Sequence, residues 1–170
     1  MDIPTRSCDK TDSFAKYPRD FIGLIWSAIG TAAAMGLVLW LISDDRPEFL
    51  LASFASSSIF LFVLTETEAA QPRALFGGQL GGAVIGILCY QLFGDALWVF
   101  GVALGLSIAL MMITRTIHPP GGFNALFMVQ HHAGFFALLK PVGLGVVALF
   151  LVAMVWSHLR PGKRYPIKWW

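Results

Sequence analysis

Apolar residues fall along this chain in long blocks, not in alternation with polar ones. Five such stretches can be read, at residues 21–42, 49–64, 74–94, 96–114 and 141–159, the last extendable backwards past Lys140 to residue 133. A hydrocarbon core ~30 Å thick needs about 20 apolar residues per spanning helix, and these stretches meet or approach that length. In lipid every backbone polar group must be paired within the protein, so only helices and closed barrels span. Continuous runs without a period of two exclude a barrel. The pattern predicts an all-α, polytopic membrane bundle of five apolar helices, divided into a polar tail at 1–20, a transmembrane domain at 21–159 and a basic tail at 160–170.

The second stretch is the odd one. It has 16 residues, contains Ser53, Ser56, Ser57 and Ser58, and runs into Thr65, Glu66, Thr67 and Glu68. It either spans or re-enters. Counting Lys and Arg does not choose: five full spans with the N-terminus inside place seven basic residues inside and five outside, and re-entry of the second stretch places eight inside and four outside.

Composition narrows the class. Of 170 residues, 56% are hydrophobic and 13% charged, with a mean hydropathy of +0.69. That profile disfavours a soluble enzyme, a disordered chain and a nucleic-acid module. Eight of the 22 charged residues lie in positions 1–20 and four in 160–170, leaving ten for everything between. The net charge of +2 comes mainly from Arg160, Lys163, Arg164 and Lys168, read as a cytoplasmic anchor at a bacterial inner membrane. The first 20 residues lack an apolar run, so the first span is expected to direct insertion itself. Cys8 and Cys89 have neither disulfide nor metal spacing, and His131-His132 diverge by about 100° on a helix. No metal, cofactor or enzymatic nucleophile is expected. Trp156, Tyr165, Trp169 and Trp170 read as an interfacial aromatic belt.

Small residues recur at helix-face spacing at Gly78, Gly82 and Gly86, with Gly77 and Gly81 beside them, and again at Gly101, Gly105 and Ala109. Such faces let helices approach closely, either within one chain or in a homo-oligomer. An internal repeat also stands out. Residues 58–67 and 107–116 share S-I-x-L-x-x-[L/I]-T-x-T at an offset of 49, and each copy is followed by proline and then a glycine pair. Repeats of this kind build transport sites from interrupted helices.

The sharpest local signal runs from Thr114 to Leu126, T-R-T-I-H-P-P-G-G-F-N-A-L. Two prolines cannot continue the fourth helix, which must stop near Ile117. Residues 123–130 then form a short helix, too short to span. Its N-terminus would point free N–H groups back toward His118 and Arg115, an anion site. Arg115 supplies charge, Thr114 and Thr116 hydroxyls, and Gly121 and Gly122 amides, with Pro119, Pro120 and Asn124 beside them. Gln71, Pro72 and Arg73, at the equivalent break after the second stretch, form the counterpart half, joined by Ser56 and Ser57. Glu66 aligns with Arg115 in the repeat, where the two either pair or reach to opposite headgroups. His118 either carries a co-transported proton or only stops the helix by bonding a freed carbonyl. The second role is preferred, because the prolines and glycines define an anion site without it.

The H-P-P triplet at 118–120, in T-R-T-I-H-P-P-G-G, resembles the signature of the HPP family of small integral membrane proteins. Residues 52–58, A-S-F-A-S-S-S, and 70–73 with 76–80, A-Q-P-R and F-G-G-Q-L, are similar to two further family segments in the same order. Ala55, Gln79 and the Gly122-Phe123-Asn124 run depart from the usual residues. The resemblance implies four or five helices, and members in cyanobacteria and chloroplasts are associated with nitrite transport. The expected function is a transporter or channel for a small monovalent oxyanion, nitrite first and nitrate second. A membrane scaffold or anion sensor is the alternative.

Overall fold

A computed structural model of the chain describes residues 21–42, 48–159 and 164–169. The polar tail at 1–20 with Cys8, and Arg160, Lys163 and Trp170 of the basic tail, lie outside them. Six α-helices follow one another: α1 (Phe21–Leu41), α2 (Glu48–Phe62), α3 (Pro72–Phe93), α4 (Leu97–Thr114), α5 (Gly121–Gln130) and α6 (Leu144–His158). The five expected apolar helices and the short helix at the break are all present. Before α6 the chain passes through a tight turn, Phe135–Leu138, and a kink at Leu139–Gly143, where Lys140 leaves helical geometry (φ −136°, ψ 124°) ahead of Pro141.

Contacts fix the direction of each pass. At the end of the bundle where α1 begins, here the near face, Ser27 of α1 donates to the Phe62 carbonyl of α2 (2.8 Å), and Trp26 packs on Trp156 of α6. Arg73 at the start of α3 reaches the Thr114 carbonyl at the end of α4 (2.8 Å). At the opposite, far face, Asp95 after α3 meets His132 after α5 (2.9 Å). The second stretch therefore crosses back from far to near, although its 15 residues give only about 22 Å of helix.

The short helix α5 does not lie on the surface. It runs parallel to α3, with His118 beside Gly78, Gly121 beside Gly82 and Ala125 beside Gly86. It also packs on α4 and α2. Gly121, Gly122, Asn124, Ala125, Phe127, Met128 and Val129 are all buried, so α5 is apolar nearly all round and forms the centre of the bundle. Together with the non-helical lead at 115–120 it makes one discontinuous pass from near face to far face. The described residues thus pass through the bundle six times, and α6 returns to the face from which α1 starts.

The repeat maps onto this geometry with one change. Its two copies end α2 and α4 at the near face, and each is followed by a proline-marked break and a pass back toward the far face. The pass that answers α3 is α5, whereas the repeat read in the sequence pairs the second and third stretches with the fourth and fifth.

The outer helices show narrow buried stripes and broad apolar exteriors. α4 buries only Val99, Ala103, Ser107 and Met111, four residues apart, while Leu97 and Ile113 are 90% and 81% exposed. Such a surface suits lipid, not water.

The two glycine stripes have different fates. A Cβ on Gly82 would fall on the Gly121 carbonyl, and one on Gly86 on the Ala125 backbone, whereas Gly101 and Gly105 have nothing within 4 Å. The α3 stripe is spent inside the protomer. Gly82→Ala is expected to destabilise the detergent-solubilised protein by roughly 1–3 kcal/mol through overpacking against backbone that cannot yield. Gly105→Ala is expected to be neutral or slightly stabilising. Thermal melts of the two variants check this, and equal melting temperatures would contradict the packing.

Candidate functional site

The break between α4 and α5 begins at Arg115, which takes left-handed geometry (φ 56°, ψ 42°) and ends α4 at Thr114, three residues before Ile117. The helix end is closed locally. The Thr116 amide bonds the Met111 carbonyl (2.8 Å), and the Arg73 guanidinium bonds the Thr114 carbonyl, a cation at a helix C-terminus. Thr114 Oγ1 gives its proton to the Leu110 carbonyl (2.7 Å), so in the 2.7 Å contact between the two threonines it is Thr116 that donates.

Beyond this cap the chain turns inward. His118 is fully buried, fitted against Gly78, whose missing side chain leaves room for it, and its ring lies 5.5 Å from that of Phe60. Nδ1 is 2.7 Å from the Ala69 carbonyl. A carbonyl only accepts, so Nδ1 carries the proton and Nε2 is the acceptor of the neutral ring. Nε2 faces Ser57 Oγ at 2.8 Å. Ser57 Oγ also accepts from Gln79 Nε2 (2.6 Å) and lies 2.9 Å from the Ser53 carbonyl. The single hydroxyl proton of Ser57 therefore has two alternative acceptors.

The network continues to the centre of the bundle. Gln79 Oε1 accepts from Asn124 Nδ2, whose other proton goes to the Gln79 carbonyl (3.0 Å). Ser53 Oγ lies 2.8 Å from the Pro120 carbonyl and 3.1 Å from Gln79 Oε1. Asn124 Oδ1 is buried with no hydrogen bond. Five polar side chains, Ser53, Ser57, Gln79, His118 and Asn124, are thus enclosed among α2, α3 and α5. None carries a formal charge when His118 is neutral.

His118, Ser57 and Asn124 belong to the expected set and come together here, with Pro120 contributing its carbonyl. The rest of that set is placed otherwise. The amides of Gly121, Gly122 and Phe123 bond the carbonyls of His118, Pro119 and Pro120 (2.9, 3.1 and 3.1 Å), because the Pro-Pro turn supplies carbonyls at the spacing a helix start needs. The free N–H cradle expected there is already occupied. Arg115, Thr114 and the exposed ring of Pro119 remain at the near-face rim, where Thr116 is buried but bonded to Thr114. Ser56, off the buried face of α2, returns its hydroxyl to the Ala52 carbonyl (2.7 Å). Pro72 opens α3. Arg73 caps α4.

Gln71 is also consumed, by the C-terminal segment. Its amide donates to the Thr65 and Thr67 carbonyls (2.9 and 3.1 Å), and its Oε1 accepts from the amides of Ile167 and Lys168 (3.0 and 3.1 Å). Beside it Tyr165 is 1% exposed and donates to the Ala70 carbonyl (2.7 Å), so it is a buried latch instead of a belt residue. Burial pushes the Tyr165 hydroxyl well above its ordinary pKa, keeping it a donor. Ser53 and Gln79 lie outside the expected set. Their signals were the i, i+4 spacing of Ser53 and Ser57 and a lone amide on the glycine face of α3.

A family profile described as the HPP transmembrane region matches residues 17–166. Two proteins of Dictyostelium discoideum, each described as a transmembrane protein, are 35% identical to this chain. One matches over 162 residues, 88% of this chain and 56% of its own length; the other over 159 residues, 88% and 51%. The chain thus spans about half the length of these curated relatives. No solved structure matches it.

Removing the hub of the network has a calculable cost. Ser57→Ala leaves His118 Nε2 and Gln79 Nε2 facing each other's side of an apolar gap, and an unsatisfied buried polar group costs about 1–3 kcal/mol. Ser56→Ala loses only a bond within its own helix turn. Melting temperatures in detergent should fall clearly for the first and little for the second, and the reverse order would mean that the network is not as described.

Proposed function

This chain belongs to the HPP family of transmembrane proteins, and from that premise we propose that it carries a small monovalent oxyanion, nitrite first and nitrate second, across the membrane. The observation that carries the reading is the discontinuous pass through the middle of the bundle, whose break buries His118, Ser57, Gln79, Ser53 and Asn124 where an apolar core would cost less. Interrupted helices with polar groups at their break are how many membrane carriers build a site.

The pairing of the α5 amides changes how such an anion is held. With those donors spent, the compensating charge comes from His118. A proton reaching Nε2 makes that atom a donor to Ser57 Oγ, and the Ser57 hydroxyl swings to the Ser53 carbonyl. The site then carries one positive charge without losing a hydrogen bond. The Nδ1 bond to the Ala69 carbonyl fits the structural role preferred for His118, and the proton role is added to it in this reading because the α5 amides are spent. Anion and proton therefore move together in this reading.

Sidedness follows from six passes. Among the described residues, Arg73, Arg115, Arg164 and Lys168 lie at the near face, against Lys140 at the far face. The near face is then cytoplasmic by the positive-inside tendency, in this reading at a bacterial plasma membrane. Its basic rim raises the local anion concentration. A homo-oligomer would use the outward stripe Gly101, Gly105 and Ala109 on α4.

A second reading, a membrane scaffold or anion sensor, is favoured by the near-complete internal pairing of the network. Flux separates the two. Purified protein in proteoliposomes should take up nitrite faster than protein-free vesicles, and faster still under an inward proton gradient, while His118→Gln should lose the gradient dependence. Absence of nitrite flux in the wild type would sink transport. Equal pH profiles for the wild type and His118→Gln would remove the proton role.

A further inference from the structure

A cavity of about 370 Å³ lies between the near-face ends of α1, α2 and α6 and the C-terminal segment. Its depth is that of the headgroup layer. Trp26 and Ser27 are in the second turn of α1, Trp156 and Ser157 are in the last turn of α6, and α1 here carries exposed Phe21, Ile22 and Ile25. The volume falls within the range of small-molecule sites.

The polar groups of its wall divide by what they can still bind. Ser27 Oγ donates to the Phe62 carbonyl, Trp156 Nε1 to the Trp26 carbonyl (3.2 Å), Ser157 Oγ to the Met154 carbonyl (2.8 Å) and the Tyr165 hydroxyl to the Ala70 carbonyl. Glu66, the one acidic side chain of the wall, is also engaged within the protein. Three donors are left. The Arg164 guanidinium, the Thr65 hydroxyl and the Trp26 indole N–H line the cavity and make no hydrogen bond among the described residues. A wall whose uncommitted groups all donate, one of them a permanent cation, suits an anion and offers an ammonium no partner. At headgroup depth the anion to hand is a phosphate ester, which a guanidinium holds bidentately, and basic pockets between membrane helices hold such headgroups. The sequence that closes the cavity adds attraction, since residues 160–170 carry four basic side chains and no acidic one.

We propose that this cavity binds the phosphate of an anionic glycerophospholipid, with Arg164 on the phosphate oxygens, Thr65 and Trp26 as further donors, and the acyl chains along the apolar exterior of α1. The site is independent of anion transport. Delipidated full-length protein is titrated with phosphatidylglycerol, phosphatidylcholine and free glycerol 3-phosphate, and bound ligand is counted by native mass spectrometry. One phosphatidylglycerol per protomer is expected, retained in clear preference to phosphatidylcholine. Arg164→Gln, at an exposed position where the fold does not depend on the side chain, should weaken phosphatidylglycerol about tenfold through loss of a charge-assisted pair. Lys168→Gln removes a charge of the same segment outside the cavity wall, and it should leave binding close to that of the wild type. Displacement of the lipid by equimolar glycerol 3-phosphate would uphold the phosphate site and assign it to a soluble ligand. Equal retention of the two lipids by the wild type, or equal weakening by Arg164→Gln and Lys168→Gln, overturns the proposal, because either result reduces the attraction to that of a diffuse basic tail.

Discussion

The constraint on which the rest of the structure depends is that no backbone N–H or carbonyl within the bilayer can be left unpaired. At 115–120 the chain breaks helical geometry inside an apolar bundle, and the break persists because each group it frees finds a partner within the protein. The α4 carbonyls are met by the Thr116 amide and the Arg73 guanidinium, the first α5 amides by the carbonyls of the Pro-Pro turn, and the Ala69 carbonyl by His118. Burying α5 at the centre is the consequence. A ten-residue helix cannot cross lipid, but wrapped by α2, α3 and α4 it need not face lipid.

Close approach is what makes that wrapping possible. The backbone of α5 lies directly against Gly78, Gly82 and Gly86 of α3, so the two elements pack through main-chain surfaces instead of interlocked side chains. In lipid, where apolar burial gives little drive for helix association, such contact is a main source of packing energy. The same glycine at 78 that admits the helix also admits His118, which ties the packing of α3 on α5 to the position of the one imidazole in the network.

The fold was legible because apolar block length and proline placement are local properties. The five stretches, the stop of α4 and the short helix follow from them. His118, Ser57 and Asn124 were legible for the same reason, as polar groups at a proline-marked break. What escaped is non-local. Whether the Gly121 and Gly122 amides face a ligand or the carbonyls of residues 118–120 depends on how the Pro-Pro turn closes. That Gln79 joins Ser57 depends on helix pairing across 22 positions. Gln71 resembled half of an anion site until the backbone of Ile167 and Lys168, 96 and 97 residues away, was seen to occupy its oxygen. The topology was ambiguous in sequence because α5 is too short to be counted as a pass. Adding it turns a difference of one basic residue between alternatives into a large asymmetry between faces.

The short link between α2 and α3 joins the two halves of the molecule through consecutive residues. The Ala69 carbonyl holds His118, the Ala70 carbonyl holds Tyr165, and Gln71 holds Ile167 and Lys168. Ala69 and His118 are separated by the same 49 positions that relate the repeat copies, so the break of one copy is stapled to the break of the other. The C-terminal segment therefore braces the piece of backbone that sets the tautomer of His118. If the segment shifts, the Ala70 and Gln71 bonds are lost first, and the Ala69 carbonyl, one residue away, is no longer fixed opposite Nδ1. The buried network and the C-terminal segment are mechanically adjacent through the backbone of residues 69–71.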